Sequence, residues 1–233
     1  ELRARFAALY PRSSIDHIVV TNGSAEANFI TLWHLVDPGD EVVIIMPAYM
    51  QFSGLVESLG GIVREVWLRE EDGWQPDVDE LRINITDRTK LIILTNPNNP
   101  TGAVLRDDVR STLLEAADRV GAWILADEVY AGAEVEGAET PSMWRADARV
   151  IATGSLSKAY GMPGLRIGWA IANHELIERI WARKDYTTIS PGTLTDFLAT
   201  VALDSNIRPR LLQRTRSLIR TGLDIIENWM ADS

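Results

Sequence analysis

Seven short runs of aliphatic and β-branched residues recur along the chain, at Ile18–Thr21, Glu41–Met46 and residues 62–68, 91–94, 122–127, 149–152 and 167–172. Most are continuous rather than alternating, the pattern of strands buried on both faces; residues 62–68 alternate. Between them the apolar residues fall three and four apart. Leu2, Phe6, Leu9 and Tyr10 predict an opening helix, and Ile30, Leu32, Trp33 and Val36 a second. Further helices are expected from Pro47-Ala48-Tyr49 onward, over 77–81, over 106–120 with Val109, Leu113, Ala116, Ala117 and Val120 on one face, and over 174–185, 193–203 and 208–229. Asp37-Pro38-Gly39-Asp40 and Glu70-Glu71-Asp72-Gly73 punctuate the series as turns. Strands alternating with helices predict an α/β fold, a mostly parallel seven-stranded sheet flanked by helices, with any ligand at the C-terminal ends of the strands. Residues 1–205 form the large domain in this reading. Residues 206–233 form a connecting helix towards a smaller domain that is largely absent from the chain.

Composition narrows the chemistry. The 233 residues are 46% hydrophobic, enough for one sizeable core, and no apolar run approaches the length of a membrane span. The first residues carry no signal-peptide pattern, so a soluble, cytoplasmic protein is expected. A net charge of −10 disfavours nucleic acid and anionic membranes as partners, since both require clustered positive charge. With no cysteine, and with histidines only at 17, 34 and 174, neither a metal site nor a histidine-based triad is expected. A small molecule is the expected ligand. The chain opens on Glu1 within an amphipathic helix, which reads as a segment of a longer protein.

Four segments carry candidate chemistry. Between two of the apolar runs lies Gly154-Ser155-Leu156-Ser157-Lys158, followed by Gly161, Gly164 and Arg166. A lysine hemmed in by small residues, with a serine before it and an arginine after, marks backbone that approaches an anionic ligand; the lysine is then a phosphate ligand or a nucleophile. Asn22-Gly23-Ser24-Ala25 joins a strand to a helix, which is either an anion site or an ordinary turn. Asn96-Pro97-Asn98-Asn99-Pro100-Thr101-Gly102 is a rigid turn at a strand end. Asp127 closes an apolar strand, where a carboxylate is costly unless a cation or hydrogen bonds compensate it. Tyr49, taken alone, reads as a core aromatic, as most tyrosines in such a position are.

In their order, these segments resemble the class I/II aminotransferase family of fold type I pyridoxal phosphate (PLP) enzymes, and the resemblance covers nearly the whole chain. It implies that Lys158 carries the cofactor as a Schiff base and then moves the α-proton. It implies that Gly23, Ser24, Ala25, Ser155 and Arg166 hold the phosphate, with Ser157 behind them. Asp127 is matched to the ring nitrogen, Asn99 and Tyr130 to the phenolic oxygen and Tyr49 to the ring face. The catalytic group would be Lys158, Asp127 and Tyr130. An aminotransferase acting on an α-amino acid and a 2-oxo acid follows, as a homodimer with residues 186–191 near the partner's site.

The same groups serve elimination and ring closure, and residues 22–28 and 184–192 are similar to a subgroup that includes capreomycidine synthase. A PLP-binding regulatory domain is a further alternative, although nothing in the chain is basic enough for the DNA-binding module such domains carry. In the family, an arginine near the C-terminus clamps the substrate carboxylate and an N-terminal segment closes the pocket; neither is found in these residues.

Overall fold

The computed structural model describes residues 1–232. In chain order its elements are α1 (Leu2–Ala7), β1 (Ile18–Thr21), α2 (Ser24–Leu35), β2 (Glu41–Met46), α3 (Gln51–Ser58), β3 (Ile62–Trp67), α4 (Val78–Asn84), β4 (Thr89–Thr95), α5 (Asp107–Val120), β5 (Trp123–Asp127), β6 (Val150–Ser155), β7 (Gly168–Ile171), α6 (His174–Lys184), α7 (Thr193–Ala202) and α8 (Arg208–Ala231). All seven expected strands form one sheet, in the order β1-β7-β6-β5-β4-β2-β3. Strand β7 runs antiparallel to both neighbours, β1 and β6, and every other pair is parallel.

The continuous apolar runs are explained by burial on both faces. Val42, Ile44, Ile93, Leu125 and Ile151 face a layer containing Ile30, Leu32, Phe52, Ile177 and Ile180. Their neighbours in sequence, Val43, Ile45, Ile92, Leu94, Ile124 and Val150, face Leu81, Val109, Leu113, Ala116 and Ala117 of α4 and α5. A third cluster beside β7 gathers Leu2, Phe6, Tyr10, Trp144 and Trp169, with Phe6 stacked on Trp169 at 4.2 Å. Strand β3 lies at the sheet edge and is largely exposed, which is why its sequence alternates.

Several element boundaries differ from expectation, and two of those differences shape the site. The strand expected over 149–152 extends through Ser155, so the glycine-serine pair ahead of Lys158 is ladder backbone rather than loop. Its register with β7 pairs Gly154 with Trp169 and Ser155 with Gly168. The helix expected from Pro47 begins only at Gln51, which leaves Tyr49 in the connecting turn, 51% exposed and outside the core. The charged loop at 70–73 contains a single 3₁₀ turn, Glu70–Asp72, closed by Gly73 in the left-handed region.

Candidate functional site

The site is built where β4, β5 and β6 end side by side. Thr95 pairs with Asp127, and Asp127 with Thr153, so the C-terminal ends of three adjacent strands reach one rim. The turn from β1 into α2 and the turns after β2, β4 and β6 close around it, leaving a cavity of about 430 Å³. Ser24, Ala25, Tyr49, Asn99, Asp127, Tyr130, Ser155, Ser157, Lys158 and Arg166 all line it. Gly23, the remaining predicted residue, forms the backbone immediately behind Ser24.

The β1–α2 turn is a tight fit. Gly23 is the N-cap of α2 with φ +84° and ψ 164°, a region open essentially to glycine alone. A Cβ on Gly23 would lie 2.4 Å from Nη2 of Arg166, and a Cβ on Gly168 would lie 2.4 Å from the Gly23 carbonyl carbon. Two missing side chains thus let the turn sit between the guanidinium and β7. The first N–H groups of α2 have no acceptor within the helix and point out of its positive end. Thr21 Oγ1 donates to the Gly23 carbonyl at 2.9 Å, and the Glu26 carboxylate accepts the Asn22 N–H at 2.6 Å.

Arg166 is itself in the left-handed region, at φ 48°. Its Nη1 donates to the Pro163 carbonyl at 2.8 Å and to Ser157 Oγ at 3.4 Å, while Ser155 Oγ accepts the Ser157 N–H at 3.2 Å. The segment 155–166 therefore folds its serines and its arginine onto one another, opposite the α2 terminus.

Across the cavity, Asp127 is buried. Its Oδ1 accepts the Val129 N–H at 3.1 Å and its Oδ2 accepts from Asn28 Nδ2 at 3.2 Å; Thr153 Oγ1 in turn donates to Asn28 Oδ1 at 2.8 Å. Burial pushes the Asp127 carboxyl up to about 6, because these hydrogen bonds and the Lys158 charge offset only part of the desolvation. Glu128 points the other way, as its neighbour in an extended chain must, and accepts from the Met143 N–H at 2.6 Å and Ser142 Oγ at 2.9 Å. Burial raises it to about 7.

The Asn96–Gly102 turn is anchored by Asn98, whose Nδ2 donates to the Pro47 carbonyl at 3.1 Å and whose Oδ1 accepts from Thr101 Oγ1 at 2.8 Å. That ties the turns after β2 and β4 together and leaves Asn99 and Tyr49 facing the cavity. Lys158 Nζ lies 5.7 Å from the centre of the Tyr130 ring, a cation–π distance.

Sequence reasoning missed Asn28, Thr95 and Gln51, all in the cavity wall. Asn28 had a signal: it is a polar residue at an apolar-face position of α2, and it is 1% exposed. Thr95 Oγ1 and Gln51 Oε1 are buried without a hydrogen-bond partner, and Gln51 Nε2 donates to the Ala25 carbonyl at 2.8 Å. Chemically, the cavity offers an amine, a buried carboxylate and an anion-binding turn within one small volume. Among the described residues no cluster of metal-ligating side chains occurs, and no helix is long and apolar enough to cross a membrane.

Comparison with known proteins adds a family match. Residues 1–227 match the family described as aminotransferase class I and II. Capreomycidine synthase of Streptomyces vinaceus is 38% identical over 216 residues, 91% of this chain and 55% of that protein. The aspartate/prephenate aminotransferase of Thermus thermophilus is 30% identical over 232 residues, 97% of this chain and 60% of that protein. Among solved structures, a PLP-dependent aminotransferase from Streptococcus suis 89-1591 superposes with a TM-score of 0.90 at 37% identity, covering 100% of this chain and 61% of that one. The chain thus spans little more than half the length of these relatives.

Proposed function

The chain belongs to the aminotransferase class I and II family, and from that premise we propose that it moves an amino group between an α-amino acid and a 2-oxo acid, with pyridoxal 5'-phosphate as its cofactor. The observation that carries this reading is the convergence of Lys158, Asp127 and the Gly23–Ala25 turn on one cavity.

The residues present fit that cofactor on three counts. The Gly23 backbone and the Arg166 guanidinium form a two-sided cup that a Cβ on Gly23 would crowd, suited to a phosphate. Asp127 is a buried carboxyl hydrogen-bonded only to neutral donors, an environment that favours a cation brought to it. Thr95 Oγ1, buried in the wall beside it, has no partner of its own.

When bound, the cofactor supplies an electron sink for the bond broken at the substrate α-carbon. The rest falls to the chain. Gly23, Ser24, Ala25, Ser155 and Arg166 hold the phosphate through charge-assisted hydrogen bonds, and Ser157 steadies Arg166. Asp127, fixed by Asn28 and Val129, keeps a proton at the ring nitrogen. Asn99 and Tyr130, both in the cavity wall, would hold the phenolic oxygen, and Tyr49 would pack against the ring. Lys158 would be the covalent attachment point for the cofactor and the amine placed to move the proton at the substrate α-carbon.

We further read residues 1–205 as the cofactor-binding part and the segment after it, with α8 (Arg208–Ala231), as leading to a smaller domain, which the burial of Leu212 alone within α8 supports; residue 233 lies outside the described residues. Exposed Tyr186, Ile189, Leu194 and Phe197 support a homodimer with residues 186–191 near the partner's site. The test is a half-reaction: the PLP-loaded protein is given single amino acids, and absorbance together with product analysis is followed. Pyridoxamine phosphate and the matching 2-oxo acid are expected. Release of ammonia with an unsaturated or cyclised product would replace transamination by elimination or ring closure.

A further inference from the structure

A charge pair behind the phosphate turn, its lysine buried and its glutamate largely so, is not used by the chemistry above. Lys184, the last residue of α6, is 1% exposed. Its Nζ donates to Thr188 Oγ1 at 2.6 Å and lies 3.8 Å from Oε2 of Glu26, in the first turn of α2. We propose that Lys184, acting through Glu26, is a positioning residue for the phosphate-binding turn: it balances the carboxylate that clamps Asn22, and so keeps the anion site at Gly23–Ala25 both shaped and electrostatically open. This inference rests on the reading that the turn holds the PLP phosphate.

The geometry carries the argument. Both oxygens of Glu26 are occupied, Oε2 by the Asn22 N–H at 2.6 Å and Oε1 by the hydroxyls of Thr187 at 2.5 Å and Thr188 at 2.7 Å. The Thr188 hydroxyl thus accepts from the ammonium and donates to the carboxylate, a single bridge from Lys184 to Glu26. In an ordinary capping box the acidic residue at the third helical position takes the N–H of the N-cap. Glu26 instead takes that of Asn22, one residue earlier, and pins the strand end rather than the N-cap Gly23.

Electrostatics says why the lysine is needed. A carboxylate in the first turn of a helix suits the helix dipole, but beside a bound phosphate it repels the ligand. A buried ammonium behind it removes that repulsion. Such pairs add little to stability, because desolvation of both charges cancels most of their attraction, so a pair this buried calls for another use. One face of α2 supports the same segment further along: Trp33, seven residues after Glu26, meets Tyr186 edge-on at 6.2 Å and carries Arg183 over its ring at 4.8 Å.

The test compares equilibrium dissociation constants of the intact protein for pyridoxal phosphate and for pyridoxal, which lacks the phosphate, read by quenching of tryptophan fluorescence. Lys184→Met is expected to weaken pyridoxal phosphate about tenfold, the loss typical of a charge-assisted contact, while pyridoxal stays within about twofold. Lys184→Arg should restore the preference. The double variant Glu26→Gln with Lys184→Met should recover part of it, since no carboxylate is left uncompensated. If Lys184→Met fails to fold, Thr188→Val removes the bridge alone and should shift the ratio several-fold in the same direction. Equal loss for both ligands, or no loss, would make the pair merely structural and overturn the inference. A wild-type protein that does not prefer pyridoxal phosphate to pyridoxal would instead bring down the phosphate-turn reading, and the inference with it.

Discussion

Replacing Asp127 with Asn should stabilise the cofactor-free protein at alkaline pH, although it removes a group central to the proposed chemistry. The folded-state value of this carboxyl is about 6 against an ordinary 3.8, with burial as the first cause. Between those values the folded protein retains a proton that the unfolded chain has lost. Stability is therefore complete below about pH 4 and is lost as pH rises through 6. That gap corresponds to about 3 kcal/mol at about 1.4 kcal/mol per pH unit. The asparagine keeps the geometry. Its Oδ1 can still accept the Val129 N–H, and the Asn28 amide can turn so that Oδ1 accepts from the new amide while Nδ2 donates to Thr153 Oγ1. Glu128, raised to about 7 chiefly by burial and least by the Asp127 charge, gives a dependence of the same sign in both proteins; most of it cancels in the difference, and the part due to Asp127 adds to the variant's gain. The assay is urea unfolding of cofactor-free wild type and variant at pH 4, 6 and 8. The variant should match wild type at pH 4 and exceed it at pH 8 by about 2 to 3 kcal/mol. A variant less stable than wild type at pH 8, or a difference that does not change with pH, would refute the account of Asp127 as a buried carboxyl awaiting a cation.

Three more substitutions follow from the geometry. Lys158→Ala should abolish borohydride-reducible attachment of pyridoxal phosphate, read by mass spectrometry, while phosphate-dependent binding persists in equilibrium dialysis; a surviving reducible link would assign the attachment to another amine. Gly23→Ala forces a side chain into a glycine-only conformation and against the Arg166 guanidinium, so pyridoxal phosphate affinity should fall by about 10- to 100-fold, for a strain of roughly 1 to 3 kcal/mol. Gly168→Ala meets backbone rather than a movable side chain; melting should fall by about 3 to 10 °C, and an unchanged melting point would mean that the turn yields freely.

Fold class and most of the cavity lining were legible in the chain alone. Strands buried on both faces must be apolar throughout, so Glu41–Met46 and residues 91–94 could be read without knowledge of their partners. Residues whose chemistry is costly where they stand were legible for the same reason: Asp127 at the end of an apolar strand, Gly23 before a helix, and the rigid turn that carries Asn99. Antiparallel β7 was not legible, because an apolar run has no direction until its neighbours are known. Tyr49 had two readings until the delayed start of α3 left it in a turn at the cavity mouth. Asn28 and Lys184 were read only as parts of the stretches 22–28 and 184–192 and of the helices there, with no partner assigned to either. Their partners, Asp127 and Glu26, lie 99 and 158 positions away in sequence, and local periodicity registers only neighbours within a turn or two. Periodicity could mark which positions are buried; which buried polar group meets which is decided only when distant segments pack, because there each unpaired donor or charge has to find its partner or be paid for in desolvation.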